Sequence, residues 1–189
     1  LKAVLAGAVV PSDDAVADAM RMKGGGVYGV APGQVTDDGE LTMALLRVLS
    51  SHPSWSSGRA VPTHLALAYG TWLTSGPFDR GETTVAAVDG MGDQRAAVGM
   101  DKSAGYLMTC AAAQRNSGSK ANGSLMRCTP IAAWGHRLSP KEIGEVAAAD
   151  SRLTHPNPTV VAAVGAYCVA IAHLIATAPQ RVASGGSEV

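Results

Sequence analysis

The sequence predicts an all-α domain. Three observations carry this: alanine is the most frequent residue while aromatics make up only 4% of the chain; apolar residues recur at helical spacing in several segments; and strand-type alternation is nearly absent, with Gly and Pro as the punctuation. Alanine has the best intrinsic helix propensity and lets helices approach closely. The expected architecture is therefore an orthogonally packed bundle of several helices, with long loops carrying polar residues inward.

Residues 24–39 begin Gly24-Gly25-Gly26-Val27-Tyr28-Gly29 and end Thr36-Asp37-Asp38-Gly39, which is too Gly-rich for a helix or strand interior and reads as a loop. Helical periodicity starts at Glu40, with Leu41, Ala44, Leu45, Val48 and Leu49 on one face and Met43 and Leu46 on the other. A helix over 40–51 that is buried almost all round is expected. Pro62 opens the next helix, with Leu65, Ala68, Tyr69, Trp72 and Leu73 on a face, and Gly76-Pro77 closes it. Asp79 followed by Glu82 resembles a capping box for a helix reaching about residue 90.

Ser139-Pro140-Lys141-Glu142 is a stronger capping box, with Pro at the first helical position, and it starts a helix to about Leu153. Asn157-Pro158 opens the last helix in the same way. Its segment 160–178 is nearly uncharged and reaches the length of a membrane span. It is rich in Ala, however, and holds Gly165, Tyr167, Cys168, His173 and Thr177. Small residues contribute little transfer energy, so a buried central helix is expected rather than a membrane helix.

Fifteen basic side chains face 15 acidic ones over 189 residues, and the net charge is zero. Without a dense positive field, sequence-independent nucleic-acid binding and basic membrane-surface binding both lack a driving force. A chain of about 150 residues already buries roughly two thirds of its unfolded surface, so one domain over 1–189 is expected. The three cysteines, Cys110, Cys128 and Cys168, show no CxxC or zinc-type spacing and read as reduced thiols. Residues 1–10 are apolar with only Lys2 as a basic group, too weak for a signal peptide. A cytoplasmic monomer is the expectation.

Three segments hold side chains that could do chemistry. Thr36-Asp37-Asp38 places three oxygen-bearing side chains at the start of a helix. They read either as an N-cap with a spare acid or as part of a hard-cation site, which would need further acids from elsewhere. The run Gly118-Ser119-Lys120-Ala121-Asn122-Gly123-Ser124-Leu125-Met126-Arg127 is either a loop leading into a helix or a turn whose amides, Ser and Asn cradle a phosphate or sugar. Leu153-Thr154-His155-Pro156-Asn157-Pro158 holds a His in a Pro-bounded turn, either structural or a donor to a diphosphate. His52, His64, His136 and His173 have no partner spacing and read as structural or exposed.

Taken together, these segments resemble the ADP-ribosylglycohydrolases, also called ADP-ribosyl-acceptor hydrolases. The resemblance is carried by Gly24-Gly25-Gly26-Val27-Tyr28-Gly29, Pro32-Gly33 and Thr36-Asp37-Asp38-Gly39-Glu40-Leu41. It continues through Tyr69-Gly70-Thr71-Trp72-Leu73-Thr74-Ser75-Gly76-Pro77-Phe78-Asp79, Asn122-Gly123-Ser124-Leu125-Met126-Arg127, Thr154-His155-Pro156-Asn157-Pro158 and Ala166-Tyr167. Order and spacing match over roughly residues 24–175.

The resemblance implies an all-α fold with a binuclear magnesium or manganese centre. It implies hydrolysis of the glycosidic bond between ADP-ribose and an acceptor, a protein side chain or a small molecule. By the same resemblance Thr36, Asp37 and Asp38 are metal ligands, with Asp37 and Asp38 catalytic. Gly118, Ser119, Asn122, Gly123, Ser124 and His155 bind substrate, Glu40 supports the ligands from behind, and Arg127 is a buried structural cation. An oxocarbenium-like transition state suits such oxygen ligands, since a metal pair can hold ribose hydroxyls and activate a water.

Family members are longer than this chain. An N-terminal Gly-Asp-Ala-Leu-Gly-like segment and a C-terminal Asp-x-Asp-Thr or Asp-x-Asp-Asn motif are not found in it. The expectation is a partial domain, truncated at both ends, with the first half of the metal shell and little activity alone. The runner-up is a catalytically inactive, ADP-ribose-binding or crystallin-like relative. A third reading is a plain helical interaction module in which the Asp pair is only a cap.

Overall fold

The computed structural model describes residues 12–52, 60–98 and 102–183. The apolar stretch 1–10 and the closing Ser187-Glu188-Val189 lie outside the described residues. The chain divides into two compact units, Leu1–Thr36 and Asp37–Val189.

In the first unit, helix α1 (Asp13–Met20) carries Asp13 and Asp14 in its first turn, where the helix dipole favours them. The Gly-rich run behind it folds on itself through an isolated antiparallel bridge between Gly25 and Val30, whose N–H···O distances are 2.8 and 3.0 Å. Gly24 sits at φ +76°, and a Cβ there would come within 2.3 Å of the Val30 carbonyl oxygen, so only glycine fits. The loop stops at Thr36 rather than at Gly39, because Asp37 and Asp38 already form the first helical turn of the second unit.

The second unit consists of α2 (Asp37–Ser51), α3 (Ala60–Thr74), α4 (Glu82–Val98), α5 (Ala104–Arg115), α6 (Thr129–Trp134), α7 (Pro140–Arg152) and α8 (Pro158–Ala183). The described residues contain no strand, and the chain has the expected all-α fold. Helix α3 packs against α2, α4 and α5; α4 lies along α5; α6 touches both α2 and α8; and α7 lies along α8. The core gathers Leu41, Leu45 and Leu49 of α2 with Leu65 and Tyr69 of α3, Met108 of α5, Ile131 of α6 and Val146 of α7.

Helix α2 is amphipathic rather than buried all round. Its leucines at every fourth position are covered, while Met43 and Leu46 on the opposite side face solvent. Helix α4 starts at Glu82, three residues beyond Asp79, and continues to Val98 instead of stopping near residue 90. Helix α7 carries the full capping box: Glu142 N–H donates to Ser139 Oγ at 3.3 Å and Ser139 N–H donates to Glu142 Oε2 at 2.8 Å. Asn157 Oδ1 accepts from Thr159 N–H at 3.0 Å and opens α8. All three cysteines are free thiols, as the sequence predicts.

The expected buried central helix is corrected. Over Pro158–Ala178 α8 has a mean hydropathy of 2.1, yet only 22% of that apolar stretch is buried. Val160, Val164, Cys168 and Ala172 form a single stripe at i, i+4 spacing that is covered, whereas Tyr167, Leu174 and Ile175 are exposed. The reason is geometric: α6 and α7 pack on α8 and cover that one stripe. By length and composition alone α8 could cross a membrane.

Candidate functional site

A cleft of about 270 Å³ opens where four stretches of the second unit converge. Asp37 comes from the first turn of α2, and Gly81, Glu82, Thr83 and Thr84 come from the start of α4. Ala121, Asn122, Gly123 and Met126 come from the α5–α6 loop, and His155 from the α7–α8 turn.

Side chains behind the cleft hold these stretches in place. Asn116, at the C-terminal end of α5, donates from Nδ2 to the Thr83 carbonyl at 2.7 Å and to the Thr154 carbonyl at 2.9 Å, tying α4 to the His155 turn. Ser119 Oγ lies 3.0 Å from Thr83 Oγ1 and accepts from Ala121 N–H at 3.3 Å. Asn157 donates to the Ser117 carbonyl at 2.9 Å. Small polar residues thus satisfy the backbone of a loop that carries no regular structure of its own.

Deeper in, Arg127 and Asp150 form an ion pair at 3.2 Å with both side chains at zero exposure. Tyr69 donates to Asp150 Oδ1 at 2.5 Å, and its ring lies under the guanidinium at 4.5 Å from the centroid. The remaining Arg127 donors reach the Gly123 carbonyl at 3.1 Å, the Asp150 carbonyl at 3.2 Å and Thr154 Oγ1 at 3.0 Å. A buried cation is tolerated here because its charge is paired and its donors are occupied. Arg127 therefore has the structural role read from the sequence.

Two titratable groups of the cleft are displaced from their ordinary ranges. Burial, together with the charges of Asp79 and Asp38, pushes the Asp37 carboxyl upward. Burial and the nearby Arg127 charge lower His155 to about 4, so the ring is neutral at pH 7. His155 Nδ1 lies 2.8 Å from Thr154 Oγ1, and a Cβ on Gly123 would come within 2.7 Å of its Cε1.

Of the residues singled out by sequence, Asp37, Asn122, Gly123 and His155 line the cleft. Ser119 stands one hydrogen bond behind it, through Thr83. Ser124 turns inward, fully buried, and accepts from Ser151 Oγ at 3.0 Å. Gly118 lies exposed in the loop. Asp38 is exposed in the first turn of α2, where its carbonyl accepts from Thr42 Oγ1 at 2.6 Å. Thr36 is half-buried at the end of the first unit. Glu40, in the first turn of α2, accepts from Trp72 Nε1 of α3 at 2.7 Å, which ties that turn to α3.

Sequence reasoning placed a helix start near Asp79 and Glu82 but did not find that Gly81, Glu82, Thr83 and Thr84 line the cleft. Asp79 was expected as a cap, but with the helix beginning at Glu82 its charge acts on Asp37 instead. The available signal was the Gly81 that separates the acid from the helix.

Among the described residues, no group of three or more His, Cys, Asp or Glu side chains gathers closely enough to hold a metal ion. The donor set does fit a hard divalent cation in type. Asp37 supplies carboxylate oxygen, and its neighbouring acids create the unfavourable repulsion that a cation relieves.

The family model for ADP-ribosylglycohydrolase matches residues 5–188. A protein of Acanthamoeba polyphaga mimivirus named for ADP-ribosyl glycohydrolase is 32% identical over 140 residues, covering 71% of this chain and 37% of the relative. The ADP-ribosyl-dinitrogen reductase glycohydrolase of Rhodospirillum rubrum is 30% identical over 157 residues, covering 82% of this chain and 46% of the relative. The chain thus spans less than half the length of either relative. A match over nearly its whole extent, together with the order of the segments that meet at the cleft, shows that the chain belongs to the ADP-ribosylglycohydrolase family.

Proposed function

We propose that the cleft is the ADP-ribose site of a hydrolase that cleaves the glycosidic bond between ADP-ribose and an acceptor. The observation that carries this reading is the convergence on one cleft of an acidic helix start, a small-residue turn and a neutral histidine from three separate parts of the chain. The turn at 121–123 and His155 offer polar groups to the oxygens of a ribose or diphosphate. Asp37 adds a carboxyl group to the lining of the same cleft. With zero net charge the chain offers an anion little long-range attraction, so recognition rests on these directed groups.

Thr36, Asp37 and Asp38 would hold divalent magnesium or, in its place, manganese, two ions in all. Such a centre supplies positive charge that orients ribose hydroxyls and lowers the pKa of a water. Asp37 would be held ionised by that charge, and the Trp72–Glu40 hydrogen bond would keep the first turn of α2 in place. Three adjacent oxygen donors shared between two ions leave most of both shells to water, so the 189-residue chain by itself would bind the ions weakly and turn over little substrate. The acceptor is a protein side chain or a small molecule. The protein would act as a cytoplasmic monomer, without nucleic acid or membrane. No specific observation favours an inert, crystallin-like role.

Calorimetric titration of the chain with ADP-ribose, with ribose 5-phosphate and AMP as partial ligands, tests the reading. Saturable one-site binding of ADP-ribose that is lost in Asn122→Ala and His155→Ala is expected. Absence of binding by the folded wild-type chain would overturn it. Tight, two-site Mg²⁺ binding by the chain alone would contradict the weak-metal expectation.

A further inference from the structure

We propose that Arg127 and Thr154 are positioning residues that fix His155 as the Nε2–H tautomer, so that the cleft wall presents a neutral N–H donor to an acceptor oxygen of the ligand. The identity of that ligand, a diphosphate or ribose oxygen, rests on the function proposed above; the tautomer does not.

A guanidinium has donors only, so the 3.0 Å contact between Arg127 Nη2 and Thr154 Oγ1 makes the hydroxyl oxygen an acceptor. The hydroxyl still has one proton to place, and His155 Nδ1 lies 2.8 Å away. If Thr154 donates to Nδ1, every group is matched and the ring proton resides on Nε2. If Nδ1–H donated instead, the hydroxyl oxygen would receive two donors and its own proton would be left without this partner, in a side chain at zero exposure. Stranding a buried donor costs enough to bias the ratio of tautomers by about ten-fold or more.

The surroundings make the bias useful. Asp150 and Tyr69 hold Arg127 rigidly, and the same guanidinium also donates to the Gly123 carbonyl at 3.1 Å, so one buried cation sets both Gly123 and His155. Gly123 has no Cβ; one would lie 2.9 Å from His155 Nε2, against the edge that the relay leaves carrying the proton. Burial and the Arg127 charge keep the ring neutral at pH 7, so its second nitrogen is free of a proton and can accept.

The test is nitrogen NMR on the chain labelled with ¹⁵N-histidine at pH 7, with the His155 signals assigned by their loss in His155→Gln. The expected pattern is a protonated Nε2 and an unprotonated Nδ1, with the Nε2–H form in about ten-fold excess. Thr154→Val, which keeps the shape and removes the hydroxyl, should collapse that excess, and Thr154→Ser should restore it. A wild-type His155 that is mainly Nδ1–H or imidazolium at pH 7 overturns the proposal without recourse to any variant. So does a folded Thr154→Val with an unchanged pattern. ADP-ribose affinity measured on the same proteins should fall about ten-fold in Thr154→Val and recover in Thr154→Ser. An intact relay in a chain that fails to bind ADP-ribose would sink the ligand reading and leave the tautomer assignment standing.

Discussion

Gly123 and His155 meet so closely that a methyl group on Gly123 would stand 2.7 Å from Cε1 and 2.9 Å from Nε2 of the imidazole. The glycine is therefore a packing requirement of the cleft. Gly123→Ala should force the ring or the turn aside, costing roughly 1–3 kcal/mol by overpacking. Urea unfolding measures that loss, and the His155 ring signals in the same variant should move.

The histidine makes stability depend on pH in a definite window. Its folded-state value of about 4 lies below the ordinary 6.5. The unfolded chain thus binds a proton at a pH where the folded chain does not. The stabilising contribution is complete above pH 6.5 and is lost as pH falls towards 4. The loss approaches about 3 kcal/mol. Denaturation curves at a series of pH values should show this slope in the wild type, and His155→Gln should flatten it.

Asp37 has the opposite sign. Its carboxyl is raised by burial and by neighbouring acids, so its ionised form weighs against the fold at neutral pH, and protonation through the raised value stabilises. Asp37→Asn should raise the melting temperature of the metal-free chain. It should also abolish any rise that millimolar Mg²⁺ or Mn²⁺ produces in the wild type. Thermal melts with and without the ion check both effects.

Helix α8 separates burial from hydrophobicity. Val164 is fully covered, whereas Leu174 is 45% exposed ten residues along the same apolar helix. Val164→Ala should cost about 1–3 kcal/mol in urea unfolding and Leu174→Ala less than about 0.5 kcal/mol. The exposed side should bind a fluorescent apolar dye, and a Leu174→Lys, Ile175→Lys double substitution should reduce that signal.

These contrasts show what could be read from the sequence. Local rules held where the chemistry is local: Ser139 and Glu142 form the capping box their spacing predicts, and Asn157 caps α8. They failed where a partner decides. An apolar segment states that it can be buried, but which stripe of α8 is covered depends on where α6 and α7 lie. Helices α1, α5 and α6 went unread: α1 and α6 are only eight and six residues long, and α5 is apolar without a clear face. In the site, Asn122, Gly123 and His155 were legible as segments. The ties that join them, Asn116 to Thr83 and Thr154 and Ser119 to Thr83, span 33 to 38 residues and leave no local trace. Asp79 was misread for the same reason, since its effect on Asp37 crosses from one helix start to another.

The most direct measurement is an amide ¹H–¹⁵N map of the chain titrated with ADP-ribose. If the cleft is the ligand site, the largest shifts fall on Thr83, Thr84, Asn122, Gly123 and His155, saturate together, and vanish in Asn122→Ala. Shifts confined to residues away from these, or none at saturating ligand in a folded chain, would contradict it.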